Sequence, residues 1–190
     1  MNKSKIEWCD YTWNPVTGCL HGCGYCYARR IANRFKGWSD WEGEHHVDTI
    51  LKTNEPIREL DKPLYYAPKE KLGKWPKAPF PYGFIPTFHR YRLDEPQKIK
   101  KPSKIFVVSM GDLFGDWVPD EWINEVFEAC KKAPQHTYLF LTKNPNRYWF
   151  FIDKCPKNFW LGASAVNQPD EKVIFNNDGS FLCTTVHLVA

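Results

Sequence analysis

Residues 104–144 read KIFVVSMGDLFGDWVPDEWINEVFEACKKAPQHTYLFLTKN, and their pattern determines the fold class. The apolar run Ile105 to Val108 is typical of a buried parallel strand. Pro119 and the acidic residues after it open a helix with apolar positions at helical spacing, and Pro134 ends it. The run Thr137 to Leu141 has the length of a second buried strand. A strand, a helix and a strand in this order predict a βαβ unit and a parallel sheet.

The same rhythm continues toward the carboxyl terminus. Asn144 is expected to cap a helix that Pro145 starts and Pro156 ends. Phe159 to Ala163 is then a third strand. Repetition of strands and helices favours a parallel sheet or barrel for the whole chain.

The amino-terminal part adds a strand at Thr12 to Val16, a glycine-rich loop and a helix from Tyr27 to Lys36. Residues 38–102 hold nine of the fifteen prolines, which predicts an irregular insertion with a short strand near Ile85–Arg90. Residues 169–190 form an atypical tail. In that tail Val173-Ile174-Phe175 and the turn at Asn177-Asp178-Gly179 are compatible with a hairpin. We therefore expect one domain over residues 1–190, an incomplete parallel (β/α) barrel of the α/β class.

Composition limits the functional classes. The net charge of +4 and the pI near 8.6 permit a polyanionic partner without requiring one. The sequence contains no run of about 18 apolar residues, so we expect no transmembrane helix. The first residues lack the apolar core of a secretory signal. We therefore expect a cytoplasmic protein with no membrane partner. In that compartment the seven cysteines are expected to be thiols, metal ligands or core residues rather than disulfides.

Three of the cysteines lie within eight residues, in the stretch CLHGCGYC at 19–26. Cys19, Cys23 and Cys26 form a C-x3-C-x2-C triplet, and thiolates are ligands for zinc or iron–sulfur clusters. The surrounding glycines let the loop wrap around one inorganic centre. A structural zinc site needs a fourth ligand, for which the candidates are His21, Cys9 and the pair His45-His46. An iron–sulfur cluster with one open iron needs none.

The triplet, with an aromatic residue before its last cysteine and a strand before the loop, resembles the radical S-adenosylmethionine (SAM) superfamily. The resemblance implies that Cys19, Cys23 and Cys26 hold three irons of a [4Fe-4S] cluster, and that the fourth iron binds SAM. It also implies that Tyr25 lies near the adenine. The implied activity is reductive cleavage of SAM to a 5′-deoxyadenosyl radical that modifies a substrate, with electrons from an external flavodoxin- or ferredoxin-like donor.

A closer resemblance links the chain to a phage and bacterial family assigned to that superfamily. The stretch IEWCDYTWNPVTGC at 6–19 resembles the opening of that family, and RLDEPQKIKKPSKIFVVSMGDLF at 92–114 resembles its second block. LTKNP at 141–145 and WLGAS at 160–164 resemble the next two. The chain departs from the family at Val166, where an acidic residue is usual, and in the tail, which predicts a truncated or divergent member.

Further cofactor contacts are expected where the predicted strands end, because the carboxyl ends of parallel strands meet at one edge. In radical SAM proteins a short motif after the second strand receives the amino group of SAM, and Asp112 or nearby backbone carbonyls match it here. Lys143 is placed to meet the SAM carboxylate or a phosphate. The complete set of predicted contacts is Tyr25, Ser109, Gly111, Asp112, Thr142, Lys143 and Ser164, with Asn167 as a further candidate.

Two other interpretations stay open. One is a non-enzymatic module that binds zinc or nucleic acid, and the other is a degenerate remnant that binds a cluster without turning SAM over. A basic helix face, made of Arg29, Arg30, Arg34 and Lys36, is compatible with a nucleic-acid partner or with a solvated surface. The sequence does not identify the substrate or assign catalytic residues beyond the cofactor site.

Overall fold

The computed structural model describes residues 1–35, 47–50, 56–65, 77–164, 173–175 and 181–183. Within these residues the chain forms two β-sheets, two α-helices and four short 3-10 helices. The strands are β1 (Asn2–Lys3), β2 (Tyr11–Trp13), β3 (Val16–Thr17), β4 (Val47–Ile50), β5 (Pro56–Leu60), β6 (Thr87–His89), β7 (Lys104–Val107), β8 (Thr137–Thr142), β9 (Phe159–Ala163), β10 (Val173–Phe175) and β11 (Phe181–Cys183). The α-helices are α1 (Tyr27–Arg34) and α2 (Asp120–Lys131), and the 3-10 helices are Arg90–Arg92, Pro96–Lys98, Pro145–Phe150 and Ile152–Lys154.

The larger sheet has a parallel centre. Its strand order is β1-β2-β7-β8-β9-β10-β11, and β2, β7, β8 and β9 run parallel to one another. These four strands follow each other in the sheet as they do along the chain, so each connection advances the sheet in the same direction. The prediction of an α/β fold with a parallel sheet is confirmed. In the part of the chain that the structure describes, the sheet stays open, because its edge strands β1 and β11 do not pair.

Alternating side chains cover both faces of this sheet. Ile105 and Val107 pack in the large core beneath α2, whereas Phe106 between them points to the other face and packs with Cys9 and Leu139. This period of two follows from the pleat of the strand. Each fully buried side chain of this kind stabilises the fold by about 1.5–3 kcal/mol relative to an exposed one. The core therefore holds the parallel strands in place.

Helix α2 confirms the helix predicted after Pro119. It buries one face against the sheet, and the buried residues are Trp122, Ile123, Val126, Phe127, Ala129 and Cys130. Both the connection from β7 to β8, through α2, and the connection from β8 to β9, through Tyr148 and Phe151, contribute to this single core. Two successive crossovers therefore pack on one face of the larger sheet.

The insertion is partly regular. The second sheet has the order β3-β6-β5-β4, and β6 confirms the short strand expected near Ile85–Arg90. Strands β4 and β5 were not expected from the sequence; a proline opens β5, a position where its missing N–H is tolerated. Ile57 of β5 is fully buried, and Phe88 of β6 stacks on Trp122 of α2 with a centroid distance of 5.2 Å. This sheet therefore packs against the helix that supports the larger one.

Two segments after β8 differ in outcome. The expected helix between Asn144 and Pro156 is replaced by two 3-10 helices, and the Asn144 side chain does not cap the first of them. Its amide donates instead to the Phe114 carbonyl (3.0 Å) and the Asp116 carboxylate. The tail hairpin is confirmed, since β10 pairs antiparallel with both β11 and β9. No helix in the described part of the chain is long and apolar enough to cross a membrane.

Candidate functional site

The cysteine loop, residues 18–26, joins β3 to α1 and begins beside the end of β7. The Gly18 N–H donates to the Met110 carbonyl at 2.9 Å, and Gly18 forms a parallel bridge with Gly111. Gly18 has a φ of +85°, a conformation that disfavours side chains. The first cysteine is thereby held against the segment that follows a parallel strand.

Gly18→Ala is expected to destabilise the fold by about 1–3 kcal/mol. A Cβ at this position would lie 2.4 Å from the Ile85 carbonyl oxygen, and the positive φ adds strain. The matched control is Gly24→Ala in the same loop, where no atom lies within 4 Å of the added carbon. Urea unfolding of both variants measures the difference, and equal stability of the two would contradict the close approach.

Two of the three thiols accept hydrogen bonds from backbone N–H groups. Cys26 caps α1, and its Sγ accepts from the Arg29 N–H at 3.3 Å. A helix amino terminus stabilises a thiolate and favours its function as a ligand. The Sγ of Cys19 accepts from the backbone of His21. Both donors are of the kind that stabilise negative sulfur in iron–sulfur sites.

Burial and neighbouring negative groups oppose ionisation of the Cys19 thiol. The pKa of the Cys19 thiol is raised to about 12, chiefly by burial, and the negative charges of Asp112, Cys23 and Cys26 contribute to the rise. Among the described residues, however, no three His, Cys, Asp or Glu side chains converge closely enough to hold a metal ion. Binding would therefore require the loop to draw its sulfurs together as they lose their protons. The donor set itself, three thiols on one glycine-rich loop, fits a soft metal or an iron–sulfur cluster.

Asp112 joins the cysteine loop to the end of β8. Its Oδ1 accepts from the Phe114 N–H (3.0 Å) and the Thr142 hydroxyl (2.7 Å). Its Oδ2 accepts from the Lys143 N–H (2.9 Å) and lies 2.7 Å from Nε2 of His21. Asp112 is only 5% exposed, so these four partners satisfy it. In the structure Asp112 therefore supports neighbouring segments of the chain. To contact SAM directly, its carboxylate would have to give up one of these four hydrogen-bond partners.

Lys143 and Tyr25, predicted separately, lie together. The Lys143 ammonium donates to the Tyr25 hydroxyl at 3.0 Å and lies 5.5 Å from the centroid of its ring. The Tyr25 ring remains 60% exposed. A cation and an accessible aromatic face therefore stand side by side next to the cysteines.

The segment after β7 is fixed by two residues that sequence reasoning missed. The Asn14 amide oxygen accepts from the Ser109 hydroxyl (3.1 Å) and the Met110 N–H (2.9 Å). The Tyr27 hydroxyl donates to the Ser109 carbonyl at 3.0 Å. Val108, just before, has a φ of +58°, which is a strained conformation for a β-branched residue. The only sequence signal for Asn14 is its place in the quoted Trp-Asn-Pro stretch, and the signal for Tyr27 is its place beside Cys26.

The remaining candidates lie at the margin or outside. Ser164 follows β9, and its N–H donates to the Thr142 carbonyl at 2.8 Å. Cys9 is buried, with its thiol donating to Ser4 at 3.2 Å. The pair His45-His46, Lys36, Val166 and Asn167 lie outside the described residues.

His21 contacts a second residue that the sequence did not identify. The Trp117 ring lies edge-on to the imidazole, with centroids 4.8 Å apart. The indole N–H of Trp117 is buried and has no hydrogen-bond partner among the described residues.

The described part of the chain is thus a mixed α/β protein. Its cysteine loop, a candidate thiolate site, lies at the carboxyl edge of the parallel strands. The chain belongs to the family described as "Protein of unknown function (DUF5131)", whose model matches residues 3–175, from β1 through β10. No curated protein and no solved structure matches the chain.

Proposed function

We propose that the chain is a radical SAM protein in which Cys19, Cys23 and Cys26 hold a [4Fe-4S] cluster. The observation that carries the proposal is the cysteine loop itself, tied to the carboxyl edge of a parallel sheet with N–H donors at two of its sulfurs. The resemblance of four sequence blocks to that superfamily supports the same assignment. When bound and reduced, such a cluster supplies the electron that cleaves SAM to a 5′-deoxyadenosyl radical.

In this proposal the residues of the chain bind the cluster and orient SAM. The Arg29 and His21 N–H groups stabilise thiolate character at Cys26 and Cys19. Lys143 offers a positive charge for the SAM carboxylate, and Tyr25 offers a ring face for the adenine. We assign the electrons for this reduction to an external flavodoxin- or ferredoxin-like protein. A reducing cytoplasm suits the six described cysteines, which form no disulfide with one another.

The test is a SAM cleavage assay on anaerobically reconstituted protein. Incubation with SAM and dithionite is expected to yield 5′-deoxyadenosine and methionine, measured by chromatography, and the yield should disappear when dithionite is omitted. A cluster that forms without any 5′-deoxyadenosine would identify a degenerate remnant and reject the enzyme.

One observation favours a second candidate, a zinc site. The contact of His21 Nε2 with the Asp112 carboxylate is the pairing that zinc-bound histidines commonly make, and it leaves Nδ1 as a fourth ligand beside the three cysteines. Elemental analysis separates the two candidates. One tightly held zinc per chain, without SAM binding, would support the non-enzymatic module.

A further inference from the structure

Helix α1 exposes a face that combines aromatic, aliphatic and cationic side chains. Its buried residues are Ala28 and Ala32. Tyr27, Arg30, Ile31 and Arg34 recur at i, i+3, i+4 and i+7 and therefore share the opposite face. The Ile31 side chain on this face is 37% exposed.

This face continues across the cysteine loop to the end of β8. Tyr27 is 53% exposed, and Tyr25 is connected to Lys143 by the hydrogen bond at 3.0 Å. We define the α1 strip as the helical part of this face, the four residues Tyr27, Arg30, Ile31 and Arg34, whereas Tyr25 and Lys143 belong to the proposed SAM site. The strip spans about 10 Å, and it begins one residue after Cys26.

The charged residues of the strip are both arginines. No acidic residue occurs in the first turn of α1, and Arg34 lies in its last turn. Within the described part of the chain, neither Arg30 nor Arg34 forms an ion pair with a carboxylate. Among the described residues, these cations therefore lack the acidic partners that a solvated face with alternating charges would supply.

We infer that the α1 strip binds single-stranded nucleic acid, and this rests on the proposed function because it names the substrate class of that site. Arg30 and Arg34 contact phosphates, and the exposed ring of Tyr27 stacks with a base. Cationic side chains interleaved with accessible aromatic rings are the recognition elements of single-strand binding surfaces. In a duplex the base faces are stacked on one another, so Tyr27 would have no free base face to stack on. A strand on this strip passes beside the cysteine loop.

The test is fluorescence anisotropy with a labelled mixed-sequence 20-nucleotide single strand, as DNA and as RNA, and with the matching duplex. The protein is used without reconstitution, so that binding does not depend on the cluster. The single strands are expected to bind more tightly than the duplex, and two phosphate contacts should give a log–log salt slope of about −1.4. The double variant Arg30→Glu/Arg34→Glu should weaken binding at least about tenfold, and Tyr27→Ala should weaken it about fivefold or more.

The control carries the same charge change elsewhere. Lys100 and Lys101 are exposed before β7, at the amino edge of the sheet, and the variant Lys100→Glu/Lys101→Glu should change the affinity less than about threefold. Equal losses in both double variants, preference for the duplex, or no binding of single strands in low salt would overturn the inference. In the last case a protein partner would be the occupant of the strip. Binding retained in a protein that fails the SAM assay rejects the proposed function alone.

Discussion

Alanine at any one of Cys19, Cys23 and Cys26 is expected to abolish cluster binding. A cluster held by three thiolates on one loop has no nearby thiol to replace a lost ligand, since Cys9 is buried against Ser4. Anaerobic reconstitution of the unaltered protein should give about four irons per chain and a broad thiolate-to-iron absorbance near about 400 nm. Each variant should lose both, and with them all cleavage of SAM.

Cys155→Ala is the matched control for these variants. Cys155 lies outside the cysteine loop, where its thiol donates to the Phe151 carbonyl at 3.4 Å. The control should keep the full iron content. Full iron in a variant of the cysteine loop, or equal loss in the control, would show that the iron is bound elsewhere or without specificity.

The parallel centre of the fold was predictable because its signals are local. The apolar run of β7, the proline and acids before α2, and the run of β8 each specify an element within a dozen residues. The second sheet was not predictable in the same way, because β5 and β6 pair across a long proline-rich stretch. Their stability comes from contacts such as Phe88 on Trp122, which join residues 34 positions apart and leave no periodic trace in the sequence. The 3-10 helices after β8 show the same limit, since propensity alone predicted one α-helix there.

In the candidate site, too, the local features were predictable and the long-range contacts were not. The cysteine spacing and the polar residues after each strand are local, so Asp112, Thr142 and Lys143 could be named from the sequence as neighbours at one edge. Their connections are long-range: Asp112 contacts His21 from 91 residues away and Thr142 from 30 residues away. Sequence reasoning therefore located the edge but assigned Asp112 a ligand, whereas the structure surrounds it with protein donors. Asn14, Tyr27 and Trp117 were missed because their roles depend only on that three-dimensional arrangement.

Asp112→Asn is expected to lower the free energy of unfolding by about 2–4 kcal/mol, although it changes only one oxygen to an NH2 group. Each carboxylate oxygen accepts one bond from a backbone N–H, from Phe114 on one side and from Lys143 on the other. In either orientation of the asparagine amide, its NH2 group therefore faces a backbone N–H that cannot become an acceptor. The variant loses the negative charge that holds the remaining donors and leaves a buried donor without a partner.

The appropriate comparison is Asp94→Asn, which makes the same chemical change at the surface. Asp94 pairs with Lys98 at 2.7 Å, and its side chain is 57% exposed, so its loss should cost no more than about 0.5 kcal/mol. Urea unfolding of both variants gives the two values directly. Equal and small losses would mean that water replaces the donors around Asp112 and that this carboxylate is free to meet a ligand after all. A large loss at Asp112 alone would establish it as the residue that ties the cysteine loop to the parallel sheet, because no other carboxylate among the described residues contacts both His21 and the end of β8.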